Sequence, residues 1–242
     1  MIDRVVTSLK WVRWRLGIAT TDRAVGLQHE LAFWDEAFRT RGRAWPDDYR
    51  ARLDPETPLS TYHRQFIDHL PQEEIRILDV GAGPLTVLGK THPHKRLVVV
   101  ATDVLAASYD RILEKYAVTP HVRTLPADAE QLSDIFGASS FDLVNAQNSI
   151  DHARDPLEAI RQMILVARED CFVVLNHAEN EAEHEGYHGL HQWNFSLEAG
   201  QLVVRSLTER FDVSRLFGKL ATFEASREDR WVRVHIRKKR GG

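Results

Sequence analysis

The chain has 242 residues, 43% of them apolar, and a net charge of −3. That is enough to bury a full core, and the absence of a global basic field argues against a nucleic-acid partner. A single cysteine, Cys171, excludes an internal disulfide and is compatible with a reducing cytoplasm, while no apolar run approaches the roughly 20 residues of a bilayer span.

Residues 1–72 precede the first strand and read as a helical extension or cap. Val5, Leu9, Val12 and Leu16 recur at helical spacing beside Trp11 and Trp14, with Arg4, Lys10, Arg13 and Arg15 interspersed. These charges also interrupt any signal-peptide core. A basic amphipathic helix could touch an anionic membrane surface, but packing on the domain or on the second copy of a homodimer is the preferred reading. A second helix, 27–39, carries Leu31, Trp34 and Phe38 on one stripe, with Phe33 beside it. Ser60 is placed to cap a third helix that carries Tyr62, Phe66, Ile67 and Leu70.

From residue 73 strand and helix patterns alternate. Strands are expected at 75–80, 97–102, 121–125, 141–146 and 171–176, with helices at 105–116 and 156–167. Asp155 and Pro156 supply an N-cap and a first helical residue for the latter. Such alternation predicts a parallel sheet covered on both faces, with its ligand site outside the carboxyl ends of the strands. Beyond 178 the pattern predicts a helix near 197–208 and two closing strands, 211–217 and 231–236. The basic run 237–240 reads as a solvated tail.

The most informative stretch is Ile75-Arg76-Ile77-Leu78-Asp79-Val80-Gly81-Ala82-Gly83. A buried strand runs into a glycine turn where the backbone can pass close under a ligand. The second strand ends in Thr102-Asp103, and Asp103 can accept hydrogen bonds from a ribose diol. A dinucleotide fingerprint would need glycine where Thr86 stands, and Asp79 would oppose a pyrophosphate. A phosphate-free cofactor with a positively charged amino acid end suits Asp79 better.

These residues resemble the first motif of the Rossmann-like, S-adenosylmethionine-dependent methyltransferases. Ala127-Asp128-Ala129-Glu130 resembles the acidic adenine-binding segment of that family. Phe141-Asp142-Leu143-Val144-Asn145-Ala146 resembles its fourth strand, and Asn148-Ser149-Ile150-Asp151-His152 the loop that follows. The resemblance covers residues 75–177. It implies an α/β fold with a Rossmann-like, mostly parallel sheet closed by an antiparallel hairpin, and S-adenosylmethionine as cofactor. Asp79, Gly81, Gly83, Asp103, Asp128, Ala129 and Asn145 are the implied cofactor-binding residues, within a methyltransferase domain spanning 73–242.

The loop 177–194 concentrates hydrogen-bonding groups and aromatic rings. In the resembled fold it borders the acceptor pocket, so Tyr187, His188 and Trp193 are candidate substrate contacts. His152 and His191 are candidate catalytic residues, placed to accept an acceptor's proton or to bond its hydroxyls. His184, His188 and His191 share a helical face at i, i+4 and i+7, but Gly186 and Gly189 interrupt it, and no metal site is expected. The predicted activity is methyl transfer to a small-molecule or glycan hydroxyl. A protein or RNA methyltransferase and a silent cofactor-binding scaffold are the alternatives.

Overall fold

The computed structural model describes residues 22–241; the expected helix over 1–16, with Trp11 and Trp14, lies outside them. Ile75, Ile77, Leu78 and Val80 are apolar on both faces and form β1 (Glu74–Val80), fully buried at the sheet centre. Around it lie β2 (Arg96–Asp103), β3 (Thr124–Pro126), β4 (Phe141–Gln147) and β5 (Ala167–Ala178), all parallel to β1.

Two late strands complete the sheet. With β9 (Ala221–Glu228) and β10 (Trp231–Lys238) the order is β3-β2-β1-β4-β5-β10-β9. β10 runs against both neighbours, so β9 points the same way as β1–β5. The closing hairpin is therefore present, but its first strand is 221–228 and not the expected 211–217. That segment instead forms β8 (Arg210–Asp212) and a helical turn, Val213–Phe217, which Asp212 caps by accepting from the Arg215 N–H.

The helix expected near 197–208 is a hairpin. β6 (Asn194–Glu198) and β7 (Gln201–Arg205) pair antiparallel across the two-residue turn Ala199-Gly200, and β8 joins them in a separate three-stranded sheet. Both turn residues have positive φ, 49° and 78°, as such tight hairpins require. Leu202, Val203 and Val204 are buried there, and Phe195, Leu202 and Val204 join the main core. Their apolar spacing, readable as a helical stripe, serves a strand pair.

Segments before β1 pack over the sheet. The helix Arg23–Arg39, capped by Asp22, buries Trp34 and Phe38 against Tyr49, Leu85 and Tyr109. Ser60 caps the short helix Thr61–Arg64, and Phe66 and Ile67 pack on Ile75 and Ile77. Asp155 accepts from the Leu157 and Glu158 N–H groups to start the helix Pro156–Val166. Cys171 is a buried thiol whose pKa burial pushes up to about 11, as for a packing residue.

Candidate functional site

The carboxyl ends of β1, β2 and β4 open into a cavity of about 660 Å³. Gly81 and Gly83 follow β1 with φ of 66° and 64°. A Cβ on Gly83 would lie 2.6 Å from the Trp34 ring, and one on Gly81 would lie 2.4 Å from Ser149 Cβ. Both glycines line the cavity, and a side chain at either place is also excluded from behind. They make room for an indole and a serine, whose close approach shapes the cavity wall.

Behind the turn runs a buried polar chain. Asp79, 1% exposed, accepts from Thr86 Oγ1 at 2.5 Å and from Asn145 Nδ2 at 2.7 Å. Asn145 Oδ1 accepts from His63 Nε2 at 3.1 Å, so His63 Nδ1 is left to accept from Ser60 Oγ at 2.9 Å. Burial raises the Asp79 pKa and lowers that of His63. Asp79 borders the cavity, but its oxygens are engaged inward; its carboxylate organises the turn. Asn145, expected at the cofactor, lies behind Asp79 and does not line the cavity itself.

Asp103 lines the cavity and is fixed by the Leu105 N–H at 2.8 Å and the Gly83 N–H at 3.2 Å. Burial raises its pKa, so further donors there would be stabilising. A carboxylate has lone pairs for such donors beyond the two it holds. Asp128 and Ala129 line the cavity too, with Asp128 accepting from the Glu130 N–H at the head of a 3₁₀ turn. A glycine turn, an oriented acid on the next strand and an enclosed cavity of ligand size could hold a nucleoside cofactor.

At another wall of the cavity four side chains meet. His191 and His152 both line it, and both approach Asp151, which is 1% exposed. Asp151 Oδ2 lies 3.0 Å from His191 Nδ1 and 3.5 Å from His152 Nε2, and the two nitrogens are 3.2 Å apart. His177 Nδ1 stands 3.7 Å from Asp151 Oδ1 while its ring stacks on Phe195. Burial alone would raise the Asp151 pKa, but His152, His177 and His191 hold it well below the ordinary carboxylate range. Burial lowers His152; in His191 the neighbouring Asp151 outweighs burial and raises it.

The other residues expected in the acceptor wall lie elsewhere. Tyr187 is buried, and its hydroxyl accepts from Asn194 Nδ2 at 3.0 Å. His188 stacks on His29, and Trp193 packs on the core and tilts against Phe211. None of the three lines the cavity. Glu181, Glu185 and Leu190 of the same loop do, with Arg23 and Glu30 of the covering helix. Asp151 escaped the sequence reading although it adjoins His152, because its partner His191 is 40 residues away.

The helix Arg23–Arg39 ties these parts together. Arg23 Nη1 donates to the His152 carbonyl at 2.7 Å, Trp34 covers Gly83, and Gly26 meets the Leu190 backbone so closely that a Cβ would lie 2.7 Å from its nitrogen.

Residues 78–175 match the family described as a methyltransferase domain. No curated protein matches the chain. Among solved structures, the CurJ carbon methyltransferase is similar at 13% identity, covering 99% of this chain and 81% of that one, with a TM-score of 0.50. An S-adenosylmethionine-dependent methyltransferase from Clostridium acetobutylicum aligns at 11% identity, covering 86% and 99%, with a TM-score of 0.49. The citrinin polyketide synthase CMeT domain aligns at 18% identity over 74% of this chain, which spans only 50% of that one, with a TM-score of 0.49. The strand order and the glycine turn agree with the methyltransferase domain that residues 78–175 match.

Proposed function

We propose that this methyltransferase acts on a hydroxyl of a small molecule or glycan, and that the Asp151–His152–His191 cluster receives the proton the acceptor loses. The observation that carries this reading is the position of two imidazoles, braced by one buried carboxylate, on the wall of the cavity that begins at Gly81 and Asp103. Bound S-adenosylmethionine supplies an electrophilic methyl group on a sulfonium. Asp103, Asp128 and the Gly81–Gly83 turn orient the cofactor, with Asp79 and Asn145 holding that turn from behind. Much of the acceleration then comes from holding the acceptor in line, and proton removal adds to it. The helix Arg23–Arg39 forms one wall of the cavity, which favours a small acceptor over a folded macromolecule, and the net charge of −3 gives nucleic acid no global basic field.

The purified protein, given labelled S-adenosylmethionine and the small-molecule and glycan fractions of a cell extract, should label a product whose methyl sits on oxygen. Labelling confined to protein or RNA, or to nitrogen, would overturn the reading.

A further inference from the structure

We propose that Asp151, His152 and His191 form a binding site for one divalent transition-metal ion on the wall of the acceptor cavity. The proposal rests on the hydroxyl-transfer reading only for the cation's role; the site itself stands on geometry.

Three ligand-type atoms, Asp151 Oδ2, His152 Nε2 and His191 Nδ1, define a triangle with sides of 3.0, 3.2 and 3.5 Å. Ligands at about 2.0–2.1 Å from one ion in tetrahedral geometry stand roughly 3.3 Å apart. The triangle therefore already has the size of one face of a coordination shell. A fourth position would open toward the cavity that His152 and His191 line.

The hydrogen-bond inventory points the same way. Two of the atoms, Asp151 Oδ2 and His152 Nε2, lie within reach of His191 Nδ1, and a neutral imidazole has one proton to offer there. Three ligand-type atoms thus converge on one point with only the ring protons of two imidazoles to share among them, and a cation would satisfy all three together. Around them sit buried groups with no partner: Asp151 Oδ1 and both ring nitrogens of His177, which is 1% exposed. Buried nitrogens without a hydrogen bond are costly, and here one of them, His177 Nδ1, stands 3.7 Å from the free oxygen of the carboxylate that would coordinate. Outer groups of this kind orient metal ligands, and His177 stands where it could bond the free oxygen of a coordinating Asp151.

Two nitrogens and one carboxylate oxygen select zinc, manganese, iron or cobalt over magnesium or calcium, which prefer oxygen alone. Held there, the cation would occupy the lone pairs that otherwise take the acceptor's proton and would act in their place, lowering the pKa of a hydroxyl in the fourth position so that its proton passes to water in the cavity. In the sequence the helical spacing of His184, His188 and His191 is interrupted by Gly186 and Gly189, and no metal site is expected there. The structure takes only His191 from that set and finds its companions on the loop after β4.

The test uses the full chain, stripped with a chelator and titrated with Co²⁺ under visible absorption, then with Zn²⁺ in competition. One Co²⁺ per chain with ligand-field bands, displaced by Zn²⁺, is expected. His152→Ala and His191→Ala should each weaken uptake by more than the roughly 10–100-fold typical of a lost outer partner, and His177→Gln by about that range. His184→Ala and His188→Ala should leave it unchanged. S-adenosylhomocysteine binding by each variant checks that the fold survives. Wild-type protein that binds S-adenosylhomocysteine but takes up neither ion overturns the site, as does uptake unaltered in His152→Ala and His191→Ala. Hydroxyl methylation that persists without uptake sinks the cation and spares the hydroxyl reading. Uptake at these residues with methylation only of nitrogen or carbon does the reverse.

Discussion

Two histidine networks flank the same cavity, and they are finished to different degrees. In the chain from Ser60 through His63, Asn145 and Asp79 to Thr86, every link is a hydrogen bond of 2.5 to 3.1 Å. In the cluster of Asp151, His152, His177 and His191, Asp151 Oδ1 and both His177 nitrogens lack a partner. A closed network rigidifies what it touches, whereas an open one keeps bonding capacity for something that arrives. The first holds the cofactor turn. The second is the one to which we assign the chemistry.

The largest expected effect separates them by activity. His191→Ala should lower turnover by roughly 10²–10⁴-fold, with unfolding temperature and S-adenosylhomocysteine affinity close to wild type. Equal loss of stability and turnover would erase the contrast. Asn145→Ala should do the opposite, leaving Asp79 Oδ1 and His63 unpaired at about 1–3 kcal/mol each. Urea denaturation would read that loss, and cofactor affinity should fall with it. A smaller effect is expected from Asp103→Ala, which should weaken S-adenosylmethionine and S-adenosylhomocysteine by about 1–3 kcal/mol in calorimetry. Tight NAD binding without S-adenosylhomocysteine binding would contradict the assignment of Asp103.

His177→Phe sharpens the comparison from the other side. It keeps the stack on Phe195 and removes two nitrogens that no hydrogen bond holds, at the loss of the Nδ1 contact 3.7 Å from Asp151 Oδ1, so thermal stability should stay within about 1 kcal/mol of wild type. The same substitution at His63, where both nitrogens are bonded, should destabilise. Acid gives the gentlest probe. His63 has its folded pKa lowered by burial, so the unfolded chain binds the proton first. Its contribution is complete above the unfolded value of about 6.5 and is lost as pH falls through the lower folded value. In His63→Gln the stability–pH curve should be flatter across that window.

The sequence made the first network's surroundings readable, because its signals are local. Strand, glycine turn and Asp103 lie within 30 residues, and the apolar run of β1 admits one reading. The closed chain itself was invisible, since His63 and Thr86 are joined only by folding. The second network depends on the ends of β4 and β5 meeting in register and on a loop that returns to them. Tyr187 and Trp193 looked like ligand contacts because aromatic residues serve pockets and cores alike. β9 was missed because Ala221, Thr222, Ala225 and Ser226 are weak strand signals on an edge. The β6–β7 hairpin was misread because Leu197, Leu202 and Val204 fit a helical stripe as well as a strand face.

The helix Arg23–Arg39 touches Gly83 through Trp34, the His152 carbonyl through Arg23 and the Leu190 backbone through Gly26. Three walls of one chamber therefore hang from a single rigid rod. A tilt of that rod would unseat the nucleoside end and the acceptor end in the same movement. On the proposed reading the helix would roof the places of both reactants, so that the entry of two reactants and the departure of two products would share one moving part. Gly26, which bears no functional group, sits at one of its tight seams, against the residue that precedes His191.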